Sequence, residues 1–351
     1  MDFRNFLKQI CFAVLVVFTF QSYNVPDTKE KKYKNIVNKY DRVFATDAQI
    51  RTAKTKYHNK YSNFLFTVKS DKHLVFVDRK NNVGDKLNYT FVFLNAKTLI
   101  EETKINAVLP TQISMLYASK KKIYYRKKLK VFEFDIASGQ DRDISIENTK
   151  IFDLIPLGND RFFCLGNVED VNKSRHSFSF FTIDINSNCM TKIEKELSTK
   201  NEDESLENSL KYSGQFIKTD THIVYPFDKY GKVMVFNDSG EFFKEIETID
   251  KVKLAEITFF NGIYTYKRGS TFYANAAALI NEDYIYVFSC RPSNLKYIMV
   301  DKYDLKKGSY TSSYKLDFNG RRSSDIRFLY QESENNFVLG FDNFYQAYTL
   351  Q

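Results

Sequence analysis

One pattern recurs five times along this chain and limits the folds that it can adopt. An apolar, strand-like run ends in Asp or Asn, a short turn follows, and a second strand-like run begins. The five anchor residues are Asn95, Asp135, Asp184, Asn237 and Asp304, spaced 40, 49, 53 and 67 residues apart. Asp and Asn side chains cap tight turns, and a following Gly or Asn supplies a positive φ. Repeats of about 40–50 residues with four short strands each are typical of a β-propeller.

The strand-like runs divide into six repeats, so the sequence predicts an all-β, six-bladed β-propeller, with seven blades less favoured. The predicted blades are 61–105, 112–146, 151–195, 209–249, 273–317 and 325–350. The sixth contains only three strands, and we expect the N-terminal side to supply its outer strand, at Arg42–Thr46. Such closure removes exposed sheet edges. A seventh blade would have to fit within 250–272, which is too short for four strands.

The first 26 residues resemble a secretory signal. Arg4 and Lys8 precede an apolar run from Ile10 to Phe20. Eleven such residues suit the apolar region of a signal peptide and fall short of the roughly 20 that a spanning helix needs. We therefore expect an extracytoplasmic protein that is periplasmic, secreted or, if the signal is not cleaved, anchored to a membrane by this segment.

The positive charge is concentrated in residues 27–60. This basic arm holds ten Lys and Arg against four Asp and Glu, within a chain whose net charge is +9. Its apolar residues from Tyr33 to Phe44 follow a helical period, which predicts a partly helical arm. Because the body from residue 61 is nearly neutral, nucleic acid is not favoured as a partner, and membrane contact is expected only through residues 1–60. We expect a monomer.

The sequence contains no recognisable catalytic motif. It lacks a Gly-x-Ser-x-Gly elbow, a phosphate-binding loop, a His-Glu-x-x-His motif and a Gly-x-Gly-x-x-Gly motif. Cys164, Cys189 and Cys290 follow the signal without a Cys-x-x-Cys pair, so neither a metal site nor a cofactor is predicted. A non-catalytic binding module is favoured. The alternative is a propeller hydrolase or lyase acting on polysaccharide or peptide, with His176 beside Glu169 or Asp170.

Cations recur in the predicted connections of one propeller face. In this topology the loops between second and third strands share a face with the connections between blades. The candidate ligand-binding residues there are Arg79, Arg126, Arg175, His176, Arg268, Arg291 and Arg322. Arg and Lys around one face favour anionic ligands, because guanidinium groups make paired hydrogen bonds to carboxylate or phosphate. The expected ligand is an acidic glycan, a peptide or a protein partner.

The repeated strand–Asp–turn–Gly–strand segments resemble the six-bladed propellers of the TolB-like and NHL-like superfamily. Enrichment in Lys, Asn, Phe and Tyr without any Trp is similar to the exported propellers of Bacteroidetes-type bacteria. The absence of Trp also argues against a WD40 member. The resemblance covers residues 61–351 and implies an architecture, and it carries no catalytic residue.

Overall fold

The computed structural model describes twelve segments of the chain, all of them C-terminal to residue 41. They are 42–45, 50–57, 66–70, 72–83, 86–95, 97–170, 175–200, 204–291, 297–316, 320–333, 335–342 and 344–350. The predicted signal and most of the predicted helix in the basic arm therefore lie outside the described residues. Within the described residues, no helix is both long enough and apolar enough to span a bilayer.

Six antiparallel sheets of four strands each make up the fold. Sheet 1 contains β2 (Phe66–Val68), β3 (His73–Val83), β4 (Lys86–Asn95) and β5 (Glu101–Pro110). Sheet 2 contains β6 (Ile113–Ala118), β7 (Lys122–Lys127), β8 (Lys130–Asp135) and β9 (Gln140–Asp143). Sheet 3 contains β10 (Thr149–Gly158), β11 (Arg161–Asp170), β12 (Arg175–Asp184) and β13 (Cys189–Lys200).

The remaining three sheets repeat this order. Sheet 4 contains β14 (Ile217–Lys218), β15 (His222–Pro226), β16 (Lys232–Asn237) and β17 (Phe242–Glu247). Sheet 5 contains β20 (Asn275–Ile280), β21 (Tyr284–Ser289), β22 (Ile298–Asp304) and β23 (Tyr310–Leu316). Sheet 6 contains β24 (Phe328–Gln331), β25 (Asn336–Gly340), β26 (Phe344–Leu350) and β1 (Ile50–Tyr57). The chain is a six-bladed β-propeller, as the sequence predicts.

The anchor residues of the sequence pattern close the turn between the third and fourth strands of the first five sheets. Asp135 Oδ1 accepts a hydrogen bond from the Ser138 N–H at 2.8 Å, and Asp304 Oδ1 accepts one from the Lys307 N–H at 2.7 Å. The Gly that follows has a positive φ, 68° at Gly139. The repeat in the sequence is therefore a repeat of one capped turn, which explains why it locates the blades.

Each pair of consecutive sheets buries an apolar cluster between them. Alternate residues of β4 illustrate the reason, because successive side chains of a strand point to opposite faces. Phe91 and Phe93 pack toward sheet 2, whereas Val92 and Leu94 pack toward sheet 6. Both faces of a blade are covered, so its central strands carry apolar residues at consecutive positions.

The last sheet is closed by a different segment from the one predicted. β1 pairs antiparallel with β26, from Ile50 opposite Leu350 to Tyr57 opposite Phe344. The assignment of this strand to Arg42–Thr46 is therefore wrong. Residues 42–45 lie beside β23, where the Ala45 N–H donates to the Ser313 carbonyl at 3.0 Å. β1 is the outer strand of sheet 6, and its sequence is rich in Lys, Arg and Thr, as is usual for an edge strand.

Two small elements lie outside the blades and near sheet 4. The helix α1 (Ser205–Lys211) precedes this sheet, and a two-stranded hairpin of β18 (Ile257–Phe260) and β19 (Ile263–Tyr266) follows it. A short 3₁₀ turn, Ser323–Asp325, precedes sheet 6. The interval 250–272 therefore holds a hairpin and not a seventh blade.

Candidate functional site

Strand directions place all seven predicted site residues at one end of the propeller. We call this end the loop face, defined by the connections between second and third strands and between successive sheets. Three of the seven, Arg79, Arg268 and Arg322, are exposed there. The Nε atom of Arg322 lies 3.8 Å from an oxygen of Asp325.

Two other predicted arginines are engaged within the fold. Arg126 Nη1 donates to the Phe152 carbonyl at 3.2 Å, and its guanidinium lies 4.9 Å from the centre of the Phe152 ring. Burial lowers the pKa of Arg126. Arg175 Nη2 donates to Glu196 at 2.8 Å. Each side chain links one strand to a neighbour, so the loop face is not a ring of unengaged cations.

The structure brings His176 and Glu169 together as a cross-strand pair. They lie opposite each other in the register of β11 and β12, with Arg175 opposite Asp170. His176 Nδ1 lies 3.5 Å from the side-chain amide of Asn167. Across the residues that the structure describes, no group of three or more His, Cys, Asp or Glu could hold a metal ion.

The Nε atoms of Arg175 and Arg291 are both buried without a hydrogen-bond partner among the described residues, but the Arg175 side chain is 42% exposed and pairs with Glu196. Arg291 differs because the whole residue is buried. Only 8% of the residue is exposed, and its guanidinium lies 5.0 Å from the centre of the Phe272 ring. Burial lowers the pKa of Arg291, while the nearby Asp250 carboxylate acts in the opposite direction.

Lys229 provides a second cation in the same region. It is 8% exposed, and its Nζ atom lies 4.3 Å from the ring centres of both Tyr266 and Tyr273. Burial acts to lower the pKa of Lys229, but the two tyrosines and Asp228 outweigh it and raise that pKa. The ammonium group is therefore held charged between two aromatic faces, an arrangement that stabilises a cation.

A buried ion cluster lies next to Arg291. Arg42 donates from Nε and Nη2 to the two carboxylate oxygens of Asp301, both at 2.9 Å, and from Nη2 to Asp250 at 2.5 Å. Ser289 Oγ donates to the same Asp250 oxygen at 2.5 Å and accepts from the Arg291 N–H at 3.0 Å. The side chain of Arg42 is 7% exposed, and that of Asp301 is fully buried.

We call the set Lys229, Asp250, Phe272, Tyr273 and Arg291 the 4–5 junction, because these residues lie between the strands of sheets 4 and 5 on the loop face. Burial raises the pKa of Cys290 to about 12; the carboxylates of Asp228 and Asp250 also act to raise it, whereas Arg291 and Lys229 act to lower it. Its thiol stays protonated and is not a nucleophile at neutral pH. The junction can hold a ligand by charge and ring stacking.

The sequence identifies part of this junction. Arg291 belongs to the predicted set, and Lys229 belongs to the cations of the loop connections. Phe272 and Tyr273 were missed, because aromatic residues in a chain this rich in them are read as core. The signal that could have found Phe272 is its position in the interval 250–272, between two predicted blades. Tyr273 was placed at the start of the fifth predicted blade.

The centre of the propeller is crossed by an ion pair. Lys69 follows the innermost strand of sheet 1 and pairs with Asp153, in the innermost strand of sheet 3. These two sheets are not neighbours, so the pair spans the space between the inner strands. The Nζ atom of Lys69 also lies 5.2 Å from the ring centre of Phe216.

No protein-family profile and no curated protein matches the chain. Among solved structures, it is similar to that of U3-55K, with a TM-score of 0.40, 10% identity and coverage of 88% of this chain and 100% of that chain. The structure of the RRP9 WD40 repeats gives a TM-score of 0.39 at 10% identity, and the match covers 89% of this chain and 100% of that chain. The structure of a luciferin-regenerating enzyme gives a TM-score of 0.42 at 8% identity, and the match covers 84% of this chain and 94% of that chain. The propeller assignment rests on the six sheets, and the resemblance to the TolB-like and NHL-like superfamily stays a prediction.

Proposed function

We propose that this protein is a non-catalytic binding module that holds an anionic group of a ligand or protein partner at the 4–5 junction. The observation that carries the proposal is the state of Arg291. Its guanidinium is buried against Phe272, and within the described part of the chain its Nε atom has no hydrogen-bond partner.

The Nε of Arg291, unpaired in the segments that the structure describes, destabilises the fold, and a ligand that accepts its hydrogen bond would reduce this cost. A buried polar group that lacks a hydrogen bond destabilises a fold by about 1–3 kcal/mol, and by more when the group is charged. Arg42, which lies close enough to Arg291 to influence its pKa, has two carboxylates as partners, so the fold does pair a buried guanidinium nearby. A carboxylate or phosphate at Arg291 would supply the missing acceptor and offset the cost.

Lys229 extends the same recognition surface. Its flanking rings, Tyr266 and Tyr273, hold the ammonium group in place before any ligand arrives. Lys229 and Arg291 both influence Cys290, and a second positive charge at the same junction favours a ligand with more than one negative group. This argument supports an acidic glycan or an acidic peptide segment over a neutral one.

Export forms part of the proposal. It is supported by the Arg4 and Lys8 charges before the apolar run Ile10–Phe20. Mass spectrometry of the N-terminal peptide, together with cell fractionation, tests it. A protein that retains residue 1 and fractionates with the cytosol would contradict export without affecting the junction.

The hydrolase or lyase alternative depends on the cross-strand pair of Glu169 and His176. Turnover of a polysaccharide or peptide substrate that is lost in His176→Ala and kept in Arg291→Met would favour it over binding alone.

The junction is tested by calorimetric titration of the protein with oligoglutamate and with oligoglutamine, and with polygalacturonate and neutral dextran. We expect binding of the acidic probes alone, weaker at high salt. Arg291→Met should weaken it about tenfold or more, and Arg291→Lys should weaken it less. Arg161→Met is the matched control, because Arg161 is exposed and follows a turn on the opposite face. Equal affinity in Arg291→Met and the wild type, with both folded by circular dichroism, would refute the assignment.

A further inference from the structure

The hairpin of β18 and β19 presents an apolar tip that the fold does not use. Phe259 is 62% exposed, Phe260 is 66% exposed and Ile263 is 44% exposed. Phe260 lies directly opposite Ile263 in the register, and Phe259 lies opposite Tyr264. Three large apolar side chains therefore surround one turn.

Backbone geometry and hydrogen bonds at its base fix the conformation of this hairpin. The turn residues Asn261 and Gly262 have φ values of 52° and 80°, as a two-residue hairpin turn with matching twist requires. At the base, the Lys267 N–H donates to the Glu256 carbonyl at 2.8 Å. The hydroxyl of Tyr266 donates to the Leu210 carbonyl of α1 at 2.9 Å. A two-stranded hairpin is marginal alone, so these contacts keep the tip presented.

Cations surround the base of the hairpin. Lys251, Lys253, Lys267 and Arg268 are exposed, and Glu256 is the one acidic residue among the exposed charges of 251–273. Glu256 pairs with Lys267 at 2.7 Å. The exposed charge around this apolar tip is therefore net positive, in a body of the chain that is otherwise nearly neutral.

We propose that the hairpin inserts its tip into the interface of an anionic lipid bilayer, which departs from the sequence expectation that residues 1–60 alone contact a membrane. Four residues of strand span about 13 Å, so an inserted tip would reach the boundary of the acyl chains while the cations lie near the phosphates. The apolar side chains of the tip match the acyl chains, and the cations at its base match the negatively charged lipid phosphates. The anion-binding site proposed at Arg291 is a separate feature, and neither inference depends on the other.

The chain offers a clean spectroscopic test, because it contains no Trp. Phe260→Trp places a single tryptophan at the tip. With phosphatidylcholine vesicles that contain phosphatidylglycerol, we expect its emission to shift to shorter wavelength and to be quenched by brominated lipid. Phe243→Trp is the matched control, because Phe243 is 44% exposed on the outer strand of sheet 4 and its replacement should report no change.

Four further arms decide the outcome. Pure phosphatidylcholine should give little response, and Lys267→Gln with Arg268→Gln should weaken the response to anionic vesicles several-fold. The pair Lys127→Gln and Lys128→Gln, also on the loop face, should leave it unchanged. Arg161→Met, at an exposed position on the opposite face, should leave it unchanged as well.

Two results would overturn the proposal. One is an unchanged tryptophan emission of the Phe260→Trp variant on addition of anionic vesicles. The tip would then be assigned to contact with a protein partner. The other is an equal response from the Phe243→Trp control, because lipid contact would then not be specific to the hairpin.

Discussion

Replacing Arg42 by Met removes the positive partner of two buried carboxylates. Asp301 loses two hydrogen bonds of 2.9 Å, and Asp250 loses one of 2.5 Å. Each carboxylate keeps one serine hydroxyl, since Ser313 Oγ donates to Asp301 and Ser289 Oγ donates to Asp250, both at 2.5 Å. Two negative charges would then remain buried with one hydrogen bond each.

Breaking a buried ion pair by removing one partner costs about 3–5 kcal/mol. Because the two serine hydroxyls remain, we expect a loss near the lower end of this range for Arg42→Met. In a propeller of about 300 residues, about 3 kcal/mol lowers the melting temperature by roughly 5 °C. The measurement is the unfolding midpoint in urea and on heating, followed by circular dichroism.

The pH dependence gives a second signature of the same cause. Burial raises the pKa of Asp250, although Arg42 acts to lower it. A carboxyl group whose pKa is raised by folding contributes stability at low pH and loses it as the pH rises through the folded pKa. Arg42→Met should raise that pKa further, so the variant should lose more stability at neutral pH than under mildly acidic conditions.

The compensating variant combines Arg42→Met with Asp250→Asn and Asp301→Asn. It should recover a large part of the lost stability, because no uncompensated charge remains. Arg161→Met, at an exposed position, should change the midpoint little. A loss below about 1 kcal/mol for Arg42→Met, or no recovery in the triple variant, would refute the role of charge burial.

Three further outcomes follow from single residues. Burial raises the pKa of Asp228, so Asp228→Asn should raise the melting temperature at neutral pH and cease to do so near pH 3. A Cβ at Gly166 would overlap the Lys150 carbonyl oxygen, so Gly166→Ala should lower the free energy of unfolding by about 1–3 kcal/mol. Cys189 is exposed and Cys290 is buried, so iodoacetamide should modify the native protein at Cys189 and not at Cys290, as measured by peptide mass spectrometry.

Each of these has an outcome that contradicts it. For Asp228→Asn, a change in melting temperature that is the same at neutral and acidic pH would remove ionisation as its cause. Gly166→Ala with unaltered stability would mean that β10 and β11 separate at no cost. Alkylation of Cys290 at the rate of Cys189 would show that the 4–5 junction opens frequently.

The blades could be predicted from the sequence because each depends on a local signal. A capped turn such as that at Asp135 needs only neighbours in the chain, and apolar runs such as β4 show that both faces are covered. The closing strand carries no such signal. β1 is made mostly of polar and small residues, and its place is decided by β26, which lies at the other end of the chain.

The site was less accessible to prediction for the same reason. Arg126 and Arg175 belong to the predicted set of cations, but their partners are fixed by strand register, which the sequence does not state. Arg42 pairs with residues 208 and 259 positions away. The environment of Arg291 also depends on Phe272, which reaches it from the connection between sheets 4 and 5.

The pairing of β1 with β26 sets a waiting time during synthesis. Ile50 emerges from the ribosome 300 residues before Leu350, its partner. At about 5–20 residues per second, the first strand remains without its neighbour for roughly 15–60 s. During that interval the earlier blades can form their own sheets from local hairpins, whereas the ring cannot close. Closure is therefore the last event in the assembly of this fold, and a chain that stops before β26 has two unpaired sheet edges with which to aggregate.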